Sequence, residues 1–229
     1  MEDNCSKECI KRLQNEVSRF LLQSKLVLNG VVVMPKEVEV YYYKIGEFED
    51  NSVHRNDLQK NNRGHFYVHR RGTEKTAPYK GGNYPGVDFV ISDSDDVYYS
   101  YLIRSAVVND KLIVGPHNVL QAIKSEGRLD DYEAVENKPV KIESNTVFGP
   151  VLFSKRINLG KKVREEFVNC KLRAVLCDEW FRISKYPSKE KMMVEYLLEE
   201  VGIQNVDKEE ALEFAKRHLG YVPSSLKML

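Results

Sequence analysis

The sequence is poor in several things, and each shortage excludes something. Cysteine occurs four times, at Cys5, Cys9, Cys170 and Cys177. Neither pair has C-x-x-C spacing and no histidine pair completes a zinc pattern, so no metal site is expected. So few thiols also exclude a disulfide scaffold and fit a reducing compartment. Long apolar runs are missing: Val31-Val32-Val33-Met34 is far short of the roughly 18 residues that span a bilayer. The opening Met1-Glu2-Asp3-Asn4-Cys5 lacks the basic and apolar regions of a secretory signal. A nuclear or cytoplasmic protein, neither secreted nor membrane-bound, is expected. Net charge is nearly absent too, 35 Lys+Arg against 34 Asp+Glu. A nucleic-acid binder of this composition must therefore sort its charge locally.

What is present is enough for a folded chain: 42% hydrophobic and 30% charged residues over 229 positions. That length suits one domain with a small appendage. Cys9, Ile10, Leu13, Val17, Phe20 and Leu21 fall on a 3.6-residue stripe, predicting a helix from Ser6 to about Leu22 with Ser6 as N-cap. Asn29-Gly30 between two apolar runs predicts a two-residue hairpin. A strand over Glu37–Tyr43 would carry Glu37, Glu39, Tyr41 and Tyr43 on one face. Further strands are expected at Val87–Ser92, Val97–Val108, Val140–Ile142, Val151–Ile157 and Leu172–Leu176. Gly115-Pro116 opens a helix. The stretch from Gly46 to about Tyr84 reads as a long loop with one short β run, His65–His69.

The C-terminal fifth changes character. Helices are predicted over Lys189–Val201 and Asp207–Leu219, the second with an Asp207/Glu210 capping box and Gly220 at C′. Between Ser188 and Glu213 there are eight acidic residues against three basic ones. The expected organisation is an α+β domain over 1–184, a curved, largely antiparallel sheet flanked by helices, with an acidic helical appendage over 185–229. That appendage offers a surface for a protein partner. No internal repeat occurs.

Two stretches collect chemistry. Val53–Lys80 holds Arg55, Lys60, Arg63, Arg70, Arg71, Lys75 and Lys80 against only Asp57 and Glu74. His54, His65, His69, Phe66, Tyr67 and Tyr79 interleave with them. Basic residues among aromatics suit phosphate contacts with base stacking, and a solvated surface loop is the plainer reading. The second feature is Glu39 beside Tyr41 and Tyr43, either a general base lining a pocket or part of an exposed alternating face. His65-x-x-x-His69 lies in a β-like run, which keeps the two rings from sharing a metal. Gly81-Gly82 lacks the lysine of a phosphate loop, and no nucleophile elbow occurs.

In order along the chain, these pieces resemble the alkyladenine (3-methyladenine) DNA glycosylase family, from about Phe20 to Leu176. Glu37-Val38-Glu39-Val40-Tyr41 is similar to the family's E-T-E-A-Y, and Glu47–Asp50 with His54 to its acidic turn and histidine. Asn62-Arg63-Gly64-His65-Phe66 is similar to N-R-G-M-F, and Tyr67-Val68-His69 to Y-V-Y. Leu102-Ile103-Arg104-Ser105 is similar to L-L-R-A, and Gly115–Ile123 to G-P-x-x-L-x-Q-A-L. Arg156-Ile157-Asn158-Leu159-Gly160 is similar to R-I-G-V-G, and Lys171–Leu176 to P-L-R-F-Y-V.

The resemblance implies a monomeric DNA-repair enzyme that needs no cofactor and hydrolyses the N-glycosidic bond of a damaged purine flipped out of double-stranded DNA. Glu39 would activate the water. Tyr41, Tyr43, His54, His69, Asp88 and Arg104 would surround the base. Arg63, Arg70, Arg71, Tyr79, Lys80 and Tyr84 would hold the DNA, with Tyr79 or Tyr84 as the wedge that fills the vacated stack. The match supplies no lysine as a Schiff-base nucleophile, so the resemblance implies a monofunctional enzyme. Aligning on Asn29-Gly30 puts Glu39 at the family's non-catalytic glutamate. Aligning on E-x-E-x-Y keeps it catalytic, with four extra residues before His54, and is preferred because turns absorb insertions. His69 stands where the family has a stacking tyrosine, and Asp88 roughly where an asparagine selects purines. The other readings are a glycosylase-fold nucleic-acid binder without catalysis and an interaction module that docks through the acidic tail.

Overall fold

The computed structural model describes residues 2–80, 84–200 and 208–227. Its first element is helix α1 (Glu2–Gln23), whose apolar stripe is laid down by Leu13, Val17, Phe20 and Leu21, all buried. The helix starts at Glu2, so Ser6 lies inside it rather than capping it. Strands β1 (Ser24–Leu28) and β2 (Val31–Lys44) follow, joined by Asn29 and Gly30 at φ 48° and 83°. Those left-handed values are what a tight hairpin demands, and Asn-Gly supplies them at least cost.

β2 runs unbroken through Pro35, so the hairpin arm and the expected Glu37–Tyr43 strand are one element. Then come β3 (Phe48–Glu49), helix α2 (Asp57–Asn61), β4 (Phe66–Val68), β5 (Val87–Val90), β6 (Val97–Val108) and β7 (Lys111–Val114). Helices α3 (Pro116–Glu126) and α4 (Tyr132–Asn137), strands β8 (Lys141–Ser144) and β9 (Val151–Ser154), helix α5 (Glu165–Asn169) and strand β10 (Arg173–Leu176) complete the α+β core. The C-terminal helices are α6 (Glu179–Ile183), α7 (Lys189–Glu195, continued by a wider π-helical turn over Tyr196–Glu200), α8 (Lys208–Leu219) and α9 (Ser224–Lys227); Val201 and Asp207 lie outside the described residues.

Among the described residues the strands form one ten-stranded sheet, and every pairing is antiparallel. Its spine is the long pair β2–β6. β2 meets β1, β10 and β3 in turn along its other edge, which curls the sheet around α1. Phe20 of α1 packs on Phe89 and Tyr101 in the hollow.

One irregularity in this spine decides where the chemistry goes. The β2–β6 register slips between Pro35 and Glu37, and again between Glu37 and Val38. Lys36 is an extra residue on β2 and Arg104 an extra residue on β6. Each bulge inverts the alternation of its strand. Before it Val31 and Val33 face the core; beyond it Val38, Val40 and Tyr42 do. Glu37, Glu39 and Tyr41 are thereby turned to the opposite face. Lys36 is buried and paired with Asp178, the N-cap of α6, at 2.6 Å.

The C-terminal helices are not a free tail. Phe181, Met192, Met193, Leu197, Ala211, Ala215 and Leu219 bury against Leu152 and Val175 of the sheet, forming a second core. Gly220 follows α8 with φ 89°, as a C′ glycine should. No helix among the described residues is long and apolar enough to cross a membrane.

Three expectations change. The stretch from Gly46 to Tyr84 is not a plain loop: Asn56 accepts from Leu58 N and Gln59 reaches back to the Asn56 N–H, a capping box that starts α2. The predicted Val151–Ile157 strand stops at Ser154, and the chain then turns inward. The short helices α4 and α5 carry too few turns to print a period in the sequence.

Candidate active site

On the face that the bulges expose lies a cleft of about 550 Å³, within the roughly 300–1,000 Å³ of small-molecule sites. Glu39 is at its floor, with Tyr41, His54, His69, Leu102, Arg104 and Ile157 around it. Cross-strand register places Glu39 opposite Leu102 on one side and Arg173 on the other.

Glu39 is fully buried and acts as an acceptor in every contact. Its Oε1 accepts from the Ile157 N–H at 2.8 Å and lies 3.4 Å from Arg104 Nη1. Its Oε2 accepts from the Tyr41 hydroxyl at 3.1 Å. Burial and the Glu39 charge hold the Tyr41 proton on well above the usual phenol range. Arg104 Nε lies 3.4 Å from Glu37, which Arg173 also meets at 2.7 Å. Two carboxylates and two guanidiniums thus balance below the cleft, as buried charges require.

The inward turn after Ser154 supplies the second support. Arg156 is completely buried and pairs with Asp50 at 2.6 Å. It donates to the Val40 and Phe167 carbonyls at 3.1 Å and stands 4.9 Å from the Tyr41 ring centroid. Asp50 also accepts from the Ser52 N–H and hydroxyl. This anchor fixes the next residue, Ile157, whose N–H holds Glu39.

The far wall is aromatic. His54 and His69 meet edge to face at 4.6 Å between ring centroids. His69 Nε2 lies 2.5 Å from the buried Asp88, which also accepts from Gln59 and Ser100. Burial would raise the Asp88 carboxyl, but the His69 charge and hydrogen bond outweigh it and hold it below the usual carboxylate range. Gly86 makes room here: a methyl group on it would stand 2.9 Å from Leu102 and 3.4 Å from the His69 ring.

His54 is pushed down to about 3, first by burial and then by His69 and Lys80. An unfolded histidine titrates near 6.5, so between about pH 6.5 and 3 the unfolded chain binds a proton that the native one refuses. Stability should therefore fall as pH drops through this window. Through His54 alone, going from pH 7 to 4.5 should cost about 2 kcal/mol. Denaturant melts of the wild type and of His54→Gln at both pH values check this; the variant should lose that much less.

The structure brings Glu39, Tyr41, His54, His69 and Arg104 to one cleft, with Asp88 behind His69. Lys80 and Tyr84 stand on its rim; Tyr84 is 75% exposed, its ring edge to face with His117. Arg71 is exposed. Arg63 is exposed as well but lines a different depression, beside Arg12 and Glu16.

Three residues are corrected. Tyr43 does not line the cleft: it lies near the end of β2, edge to face with Tyr98 and under the Arg55 guanidinium. Arg70 and Tyr79 are half-buried, stand outside the cleft and are engaged by other side chains. Arg70 pairs with the buried Glu136 of α4 and covers the Tyr79 ring at 4.2 Å, and Tyr79 also donates to Glu136. Glu136 accepts from Val68 N in the interior and needs a countercharge there, which Arg70 provides.

In the sequence Arg156 and Ile157 stand out only through a motif of the resemblance, with no role attached, and nothing marks Asp50 as an anchor. The inward turn after β9 has no periodic signature, and a backbone donor such as Ile157 N–H has no side chain to read. His65 Nδ1 donates to the Glu136 carbonyl at 3.0 Å, and the ring takes no part in the cleft. Neither a protein-family model nor a curated protein sequence matches this chain.

Proposed function

We propose that the protein removes a damaged purine from double-stranded DNA by hydrolysing its N-glycosidic bond. The observation that carries the reading is the convergence of Glu39, Tyr41, His54, His69 and Arg104, from four separate stretches of chain, on one base-sized cleft. A flipped base enters with its faces toward the Tyr41 and histidine rings. Ring contacts of this kind contribute about 1–3 kcal/mol per base. Water lies between Glu39 and the anomeric carbon; Glu39 takes its proton and its charge offsets the positive charge growing on the sugar. Ile157 N–H and the Tyr41 hydroxyl keep the carboxylate aimed without taking its negative charge away.

Arg104 neutralises the two glutamates at rest and faces the incoming sugar–phosphate. Tyr84, exposed at the mouth, is the wedge for the vacated stack, and Arg71 and Lys80 meet phosphates. Tyr79, held by Arg70 and Glu136, is withdrawn from that role. One observation favours a second reading, binding without catalysis: the Tyr41 hydroxyl covers Glu39 Oε2.

The deciding experiment incubates the protein with duplexes carrying one alkylated or deaminated purine and measures free base by chromatography. Release from a lesion duplex and none from undamaged DNA is the expected result. Salt-dependent binding with no release from any lesion would replace the enzyme by the binding-only reading.

A further inference from the structure

The residues so far given to the DNA stand on one side of the cleft. From β2 at its floor, the sheet runs through β6 and β5 to β4 on that side. Arg71, Lys80 and Tyr84 lie in the chain between β4 and β5. On the other side β2 pairs with β10, and β10 with β9. The chain leaving β9 walls the cleft from there, with Ile157–Gly160, Lys162 and Val163. A run of exposed cations is ordinarily a solvated face. This one is clipped at both ends by consecutive residues that follow β3. Asp50 holds Arg156 at the start, at 2.6 Å. Asn51 holds the end: its Nδ2 donates to the Lys162 carbonyl at 2.9 Å, and its Oδ1 accepts from the Arg164 N–H at 3.0 Å. Between them the Val163 N–H donates to the Gly160 carbonyl at 3.0 Å, and Val163 packs on the core. Lys155 and Arg164 are engaged, the first by Asn169, the second by Glu166 and the Glu49 carbonyl. Lys161 and Lys162 are exposed, and among the described residues neither has an ion-pair partner.

We infer that this second lip grips the phosphodiester backbone of the damaged strand through Lys161 and Lys162, across the cleft from Lys80 and Tyr84. The grip rests on the glycosylase reading and extends the DNA contact surface to a stretch of chain that had none. A nucleotide leaves the stack by turning about the backbone on either side of it. Held at one flank only, the strand is free at the other to swing the base home. Two rigid lips fix both flanks. Each ammonium acts as a point charge on phosphate and reads no sequence, so the lip adds affinity without choosing the lesion. Its placement also matters to the chemistry. Arg156, which starts the lip, fixes the Ile157 N–H that holds Glu39 at 2.8 Å. A backbone seated on Lys161 and Lys162 is therefore in register with the acid.

The test measures binding of the full-length protein to a fluorescently labelled undamaged duplex over a range of salt concentrations. Lys161→Gln with Lys162→Gln should weaken binding about ten-fold or more at 0.1 M salt, and should flatten the plot of log affinity against log salt by about two. Both side chains are exposed, so the variant keeps its fold, which its denaturant midpoint checks. Lys208→Gln with Lys216→Gln removes the same charge from exposed positions of α8, outside the cleft, and should leave the slope at the wild-type value. An unchanged slope in the lip variant overturns the grip, and so does an equal change in both variants, which is an effect of net charge alone. Base release is scored separately on a lesion duplex. The expected slopes with no release from any lesion keep the lip and remove the enzyme reading. Release by a lip variant of wild-type slope refutes the lip and leaves the enzyme reading standing. A wild type that binds no duplex at any salt overturns both.

Discussion

Glu39→Gln should slow base release by about 10³-fold while lesion DNA still binds. Glutamine keeps the size and one oxygen to accept from Ile157 N–H, whose position is fixed by the Arg156 anchor. It cannot take a proton from water, nor offset positive charge on the sugar. Tyr41, which donated to the carboxylate, can accept from the new amide instead. The exchange leaves Arg104 and Arg173 facing Glu37 alone, and that imbalance should cost about 1–3 kcal/mol of stability. Single-turnover release and denaturant midpoints, read together, separate the two effects. Release at the wild-type rate from a folded variant would take the base role away from Glu39.

Arg156→Met should be the most destabilising single change at the site, about 3–5 kcal/mol. Asp50 and Arg156 are both wholly enclosed at 2.6 Å. Methionine leaves the carboxylate with only Ser52 to solvate it, and leaves the Val40 and Phe167 carbonyls without their donor. For a chain of this size, that loss corresponds to a fall in melting temperature of about 10 °C. Asp50→Asn in the Arg156→Met background should recover part of it, because the orphaned charge is then gone. A double-mutant cycle isolates the pair, and a single-mutant loss below about 1 kcal/mol would show that water already reaches it.

Much of this site was legible in the sequence, for identifiable reasons. Glu39 and Tyr41 were readable because two-residue alternation beyond Val38 leaves only one face for them. His54, His69 and Arg104 were readable because each sits in a motif with its own spacing. Tyr43 obeys the same alternation yet misses the cleft, since periodicity gives a face and not where along the strand the cleft ends. Arg70 and Tyr79 looked like free surface because Glu136, the charge that draws them inward, is 66 residues from Arg70. Nothing local announces such a partner. Arg156 is the same case in reverse, an arginine that reads as exposed and is swallowed by Asp50. The capping box at Asn56 was visible in principle, since Asn-x-x-Gln is a helix-start signature, but the polar run around it concealed a helix of five residues.

The paired extra residues in the central ribbon set how this part of the gene can change in length. One codon added between Val38 and Glu39 would rotate the rest of that strand by half a turn relative to its neighbour. Val40 would then pave the cavity floor with grease, while Glu39 and Tyr41 would be driven against Phe20 and its apolar companions. Loss of Lys36 or Arg104, by contrast, would leave every flanking side chain on its present face, because each stands outside the two-residue alternation. What would go is the cation that meets Asp178, or the arginine beside Glu39. Descent with small insertions or deletions can therefore vary the rim loops freely, and in this ribbon it can trim only at those two positions.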